Sequence, residues 1–117
     1  PDGAAALARA LDDEPSSRPL VLVFGAMRDK DWSAMLALLR PRVEHVVLTA
    51  AARARSEDPA RMAAPGDRVE PDVAGAIRAA RALAGEGGTL VVTGSAFVVA
   101  EARARFLGLD ADPPIAM

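Results

Sequence analysis

The chain has 117 residues, a net charge of −2 and 51% apolar residues, and its only aromatics are Trp32 and three phenylalanines. That length suits one domain spanning 1–117, and arginines scattered among acids and alanines exclude the basic, aromatic-studded face of a nucleic-acid binder. With no cysteine, no apolar run near the roughly 20 residues of a membrane span and no signal-peptide pattern, thiolate metal sites are excluded, no membrane partner is expected, and the expected location is cytoplasmic.

The chain opens at Pro1 without a methionine, so a fragment is expected. After Pro1-Asp2-Gly3, the residues Ala4, Leu7, Ala8 and Leu11 recur with helical spacing. The stretch EPSSRP, 14–19, has the turn chemistry of a loop. Leu20 to Phe24 is continuously apolar, as a strand covered on both faces must be. Gly25-Ala26 ends it, and Asp31 is placed to cap a helix carrying Trp32, Met35, Leu36 and Leu39 on one stripe. Pro41 is expected to stop that helix.

His45 to Thr49 reads as a second buried strand. Asp58-Pro59 predicts a cap and first-turn proline for a short helix through Ala64. Arg68 to Glu70 suits a short third strand. Asp72 caps the next helix, with Val73, Ile77, Ala80 and Ala84 on one face and Gly85 as its stop. Thr89 to Ser95, TLVVTGS, repeats the logic of the first strand: a buried strand, a glycine turn, and a serine opening a helix. That last helix is expected to carry Phe97, Val98, Ala100, Ala104 and Leu107 on one face, to end at Gly108, and to be followed by an irregular tail. Buried strands alternating with helices predict an α/β fold with a parallel sheet covered on both faces. Ligands of such sheets bind beyond the carboxyl ends of the strands, where the winding direction reverses. The loops after the first and last strands are expected to meet there.

Two segments there can carry chemistry. Thr93-Gly94-Ser95 offers a hydroxyl and free amides at a helix start, where a carboxylate or phosphate is favoured; taken alone it reads rather as a plain cap after a tight turn. Asp29-Lys30-Asp31 can hold a zwitterion, salt-bridge a neighbouring domain or bind a cation weakly, or be a solvated helix start. Lys30 is the only lysine against thirteen arginines, and a lysine supplies a compact ammonium where arginine supplies a planar fork. His45 has no companions for a metal site or a catalytic triad. Neither GxGxxG nor GxxxxGK[ST] occurs.

Taken together, LVFGAMRDKDWSAML, VVLTAAARARSEDP and LVVTGSAFVVAEAR resemble the carboxyl-terminal domain of the folylpolyglutamate synthases, including those with dihydrofolate synthase activity, in the Mur ligase superfamily. PDGAAALARAL is similar to the segment just after that family's histidine-asparagine-proline motif. The resemblance implies a three-layer α/β/α, Rossmann-like, mainly parallel sheet of about four or more strands. It implies an enzyme that uses ATP and magnesium to join L-glutamate to folate or dihydropteroate through an acyl phosphate. The phosphate loop and metal ligands of that family lie in an amino-terminal ATPase domain, its partner in the same protein. This fragment alone is thus expected to bind no cofactor and to be inactive, with no catalytic or metal residue of its own.

The same resemblance puts Ser95, with Thr93 and Gly94, on the glutamate side, adds Lys30 there, and places Asp29 and Asp31 in the interdomain cleft. Where that family usually has a leucine and an aromatic after the serine, this chain has Ala96 and Phe97, a mild change that keeps the aromatic. Two other readings stay open. One is another Mur-type amino-acid ligase, although RVEPDV after the third strand shows no acceptor motif. The other is a stand-alone module that binds an anion or a protein.

Overall fold

Strand β1 (Leu20–Gly25) is buried along its whole length. Successive side chains of a strand point to opposite faces. Leu22 and Phe24 therefore join Ala4 and Ala8 of α1 (Asp2–Asp13) and Met35, Leu36 and Leu39 of α2 (Trp32–Leu39) in one core layer. Val21 and Val23 join Val73, Ala76, Ile77 and Ala80 of α4 (Val73–Ala84) and Val98 and Ala102 of α5 (Ala96–Leu107) in the other. One strand feeds two cores, which is why its sequence shows no polar alternation. The computed structural model describes residues 2–107. Pro1, the expected stop at Gly108 and the tail beyond it lie outside the described residues.

β1 pairs in parallel with β2 (His45–Leu48) on one side and β4 (Thr89–Gly94) on the other, and β2 pairs in parallel with β3 (Arg68–Val69). The order is β3-β2-β1-β4. The chain steps outward from β1 to β3, then returns across the sheet to lay β4 on β1's free side. With α1 and α2 on one face and α4 and α5 on the other, this is a three-layer, Rossmann-like α/β/α domain. The expected caps form: Asp31 accepts from the Ala34 amide at 3.2 Å, Asp58 from Ala60 at 2.9 Å and Asp72 from Gly75 at 2.8 Å.

Several expectations shift. α2 ends at Leu39, but the chain continues as a 3-10 turn, Arg40–Arg42, that contains Pro41. A proline near the start of a turn removes only an amide that would have no partner there. The short helix α3 is Pro59–Met62 and stops before Ala64. β4 is half-buried, unlike β1, because among the described residues it is an edge strand. On α5 only Val98 and Ala102 are buried; Ala104 is half-buried, and Phe97, Ala100 and Leu107 face outward. A helix lying against a sheet edge buries one narrow i, i+4 stripe. In an alanine-rich segment, composition alone does not say which stripe that is.

At the opposite end of the sheet, Glu44 accepts from the Leu20 amide at 2.6 Å and pairs with Arg18 at 3.0 Å. The Leu20 amide first, and then Arg18, hold the Glu44 carboxyl below its ordinary range. The Arg42 guanidinium does the same for Asp12. A carboxyl with a lowered folded-state pKa stabilises the fold above its unfolded pKa, and that stability is lost as pH falls. The melting temperature is therefore expected to hold from neutral pH to about pH 5 and to drop toward about pH 3. Glu44→Gln should make that drop shallower. Melts of the two proteins across this window check it, and parallel curves would refute it.

Candidate functional site

The strand order reverses between β1 and β4, and their carboxyl ends are in register, Gly25 beside Gly94. The two backbones touch so closely there that only glycine fits at 94. Its φ is +115°, and a Cβ would fall 1.9 Å from the Gly25 carbonyl oxygen. That same oxygen accepts the Ser95 amide at 2.7 Å, locking the start of α5 onto the end of β1.

Above this junction opens a cleft of about 480 Å³. One wall comes from the loop after β1 and from α2, with Ala26, Met27, Lys30 and Met35. The other comes from the end of β4 and the start of α5, with Thr93, Gly94, Ser95, Ala96 and Phe97, while Gly3 and Ala4 of α1 close one side. Thr93, Gly94, Ser95 and Lys30 thus line one cavity although more than sixty residues separate Lys30 from Thr93. Asp29 and Asp31 do not line it: Asp29 faces Arg55 at 3.6 Å, and Asp31 is engaged as the cap of α2.

Ser95 is buried, and its Oγ accepts the Val98 amide at 3.1 Å. It is therefore a true cap, but a hydroxyl that accepts one bond still has its own proton to donate. Among the described residues that proton has no acceptor, and the amides of Ala96 and Phe97 donate to none. Lys30 is exposed and forms no ion pair among the described residues. Donors and positive charge line an otherwise mostly apolar cleft. This arrangement suits a small anion, a carboxylate above all.

What holds Lys30 in place is not visible in the sequence. The loop after β1 is zipped to the loop after β2. Glu57 donates its amide to the Ala26 carbonyl at 2.8 Å, Arg28 to that of Arg55 at 2.8 Å, and the Arg28 guanidinium reaches Ala54 O at 2.6 Å. The buried Glu57 carboxylate then accepts from the Trp32 indole at 3.2 Å and from the Asp58 amide at 3.0 Å. A glutamate one residue before a capping aspartate is the only local hint. Among the described residues, no three His, Cys, Asp or Glu side chains gather where a metal ion could be held. No helix there is long and apolar enough to cross a membrane.

Comparison with known proteins bears on the same region. The family model for "Mur ligase, glutamate ligase domain" matches residues 1–96. The chain is 41% identical over 110 residues to a Haloferax volcanii protein named "Probable bifunctional folylpolyglutamate synthase/dihydropteroate synthase", covering 88% of this chain and 13% of that one. It is 36% identical over 102 residues to the UDP-N-acetylmuramoyl-L-alanyl-D-glutamate–2,6-diaminopimelate ligase of Caulobacter vibrioides, covering 80% of this chain and 21% of that one. The crystal structure of Mycobacterium tuberculosis folylpolyglutamate synthase complexed with ADP and AMPPCP superposes with a TM-score of 0.73 at 30% identity. That match covers 92% of this chain and 27% of that chain. The chain is thus similar to a minor part of each of these longer proteins.

Proposed function

The chain belongs to the Mur ligase glutamate ligase domain family, and we propose that it is the glutamate-binding, lid-like carboxyl-terminal domain of an ATP-dependent ligase that adds L-glutamate to a folate. The observation that carries this reading is the cleft between β1 and β4, where the Ser95 hydroxyl, two unengaged amides of α5 and the Lys30 ammonium line a space of about 480 Å³. The names of the Haloferax and mycobacterial relatives support the folate class.

The work assigned to this chain is binding and orientation. The α-carboxylate of glutamate accepts hydrogen bonds from the Ser95 hydroxyl and the Ala96 and Phe97 amides, which the dipole of α5 reinforces. Thr93 and Gly94 shape the floor beneath it. Lys30 supplies positive charge from the facing wall as the acyl group is transferred. The amine of the bound amino acid must lose a proton to attack the acyl phosphate. None of these groups is placed to take it, so the proton passes to solvent or to the amino-terminal domain as the amide bond forms and phosphate leaves. Asp29 and Asp31, outside the cleft, are placed at the rim facing an amino-terminal ATPase domain of the same protein. ATP and magnesium are assigned to that domain of the full-length ligase.

The test uses the full-length gene product with ATP, magnesium and a reduced folate. Phosphate release is followed with and without L-glutamate, and with other amino acids in parallel. Release that requires both folate and L-glutamate is expected. Ser95→Ala should raise the KM for L-glutamate by about 10-fold, the loss of one hydrogen bond to a charged group. It should cost only about 1 kcal/mol of stability through the lost cap. An unchanged KM would remove Ser95 from the site. The relative from Caulobacter favours a second reading, in which the same cleft takes a different amino acid. Turnover of UDP-N-acetylmuramoyl-L-alanyl-D-glutamate with diaminopimelate, supplied in place of folate and glutamate, would establish that reading instead.

A further inference from the structure

The loops after β1 and β2 carry four basic side chains: Arg28, Lys30, Arg53 and Arg55. Arg28 is tied to a backbone carbonyl and Arg55 faces Asp29. Lys30 and Arg53 have no carboxylate partner among the described residues, although the chain carries more acids than bases. Lys30 lines the cleft. Arg53 sits against a residue that does: its guanidinium lies 4.2 Å from the centroid of the Phe97 ring.

That placement is reinforced from a second side. The Ala52 amide donates to the Glu101 carboxylate at 2.9 Å, so the loop carrying Arg53 is pinned to α5 on both of its contacts. Stacking over a ring orders a guanidinium without engaging its in-plane N–H groups, which remain available for a bidentate acceptor. An ordered guanidinium with free donors, seated on a residue that lines the cleft, has the chemistry to bind a carboxylate.

Resting on the ligase reading above, we propose that Arg53, steadied by Phe97, binds the side-chain carboxylate of the amino-acid substrate and so selects acidic over neutral amino acids. Ser95 and the α5 amides hold the α-carboxylate, and Arg53 reads what lies at the far end of the molecule. Selectivity then depends on two carboxylates held apart at a set distance.

The test measures KM for L-glutamate in the full-length enzyme, together with the inhibition constant of L-glutamine, which keeps the α-carboxylate and lacks the second. Arg53→Ala is expected to raise the KM for L-glutamate by about 10-fold, the effect of removing one charge-assisted contact, while leaving kcat within about 2-fold and glutamine inhibition unchanged. Arg53→Lys should recover part of the loss. Phe97→Leu should reproduce a smaller share of it, because the charge stays but its platform goes. An unchanged KM, or an equal weakening of glutamate and glutamine in an enzyme that depends on L-glutamate, overturns the role of Arg53 and leaves the ligase standing. Wild-type turnover that ignores L-glutamate overturns the ligase and this inference together.

Discussion

Gly94→Ala is expected to cost roughly 4 kcal/mol or more, an amount reserved for buried clashes and strained backbone. In a domain of this size that lowers the melting temperature by about 15 °C or more. Two penalties coincide. The residue sits at φ +115°, which side-chain-bearing residues rarely adopt, and the new methyl falls 1.9 Å from Gly25 O, 2.9 Å from Gly25 C and 3.1 Å from Gly25 N. All three atoms are backbone at the end of the central strand, so relief requires β1 and β4 to separate. Separation also breaks the bond from the Ser95 amide to Gly25 O, and with it the placement of Ser95 opposite Lys30. Gly87→Ala is the control: nothing lies within 4 Å of a Cβ there, and the change should stay within about 0.5 kcal/mol. Thermal melts followed by circular dichroism check the pair. A Gly94→Ala protein melting within a few degrees of its parent would mean that the junction opens freely.

Phe24→Ala should cost about 4 kcal/mol, in the range for emptying a buried aromatic site. Phe24 is fully buried in the layer beneath α1 and α2, and its strand position is flanked by Leu48 and Thr93 on the two neighbouring strands. The rigid backbone on either side leaves little room to collapse around the cavity. The denaturation midpoint in urea should fall with an unchanged slope, since the surface exposed on unfolding barely alters. Phe106 offers the contrast. It is 45% exposed on α5 beneath the Arg81 guanidinium, and Phe106→Ala should cost under about 1 kcal/mol. Equal losses at the two phenylalanines would contradict the assignment of the core.

Local chemistry makes much of this legible. The uninterrupted run Leu20–Phe24 specifies a strand with two apolar faces because its period is two. Asp31, Asp58 and Asp72 mark helix starts because a short carboxylate satisfies amides that a helix leaves free. The same reasoning places Ser95 at the mouth of α5, and its hydroxyl is there, bonded to Val98. The exposed face of α5 differs from expectation because alanines fit either side of a helix. β4 also departs from the burial of β1, since its sequence, TLVVTG, does not reveal that its outer neighbour is missing among the described residues.

The sequence by itself thus determined the elements, their caps and the two loops worth watching, because each depends on contacts a few residues apart. The parallel sheet followed from the alternation of strands and helices, which leaves few other ways to connect them. The tertiary structure alone decided the strand order, the glycine-to-glycine junction of β1 and β4, the Trp32–Glu57 clasp and the seat of Arg53 on Phe97. These contacts join residues from 21 to 69 positions apart. No local preference encodes them; they exist only once the chain has crossed back over its own first strand and both core layers have closed.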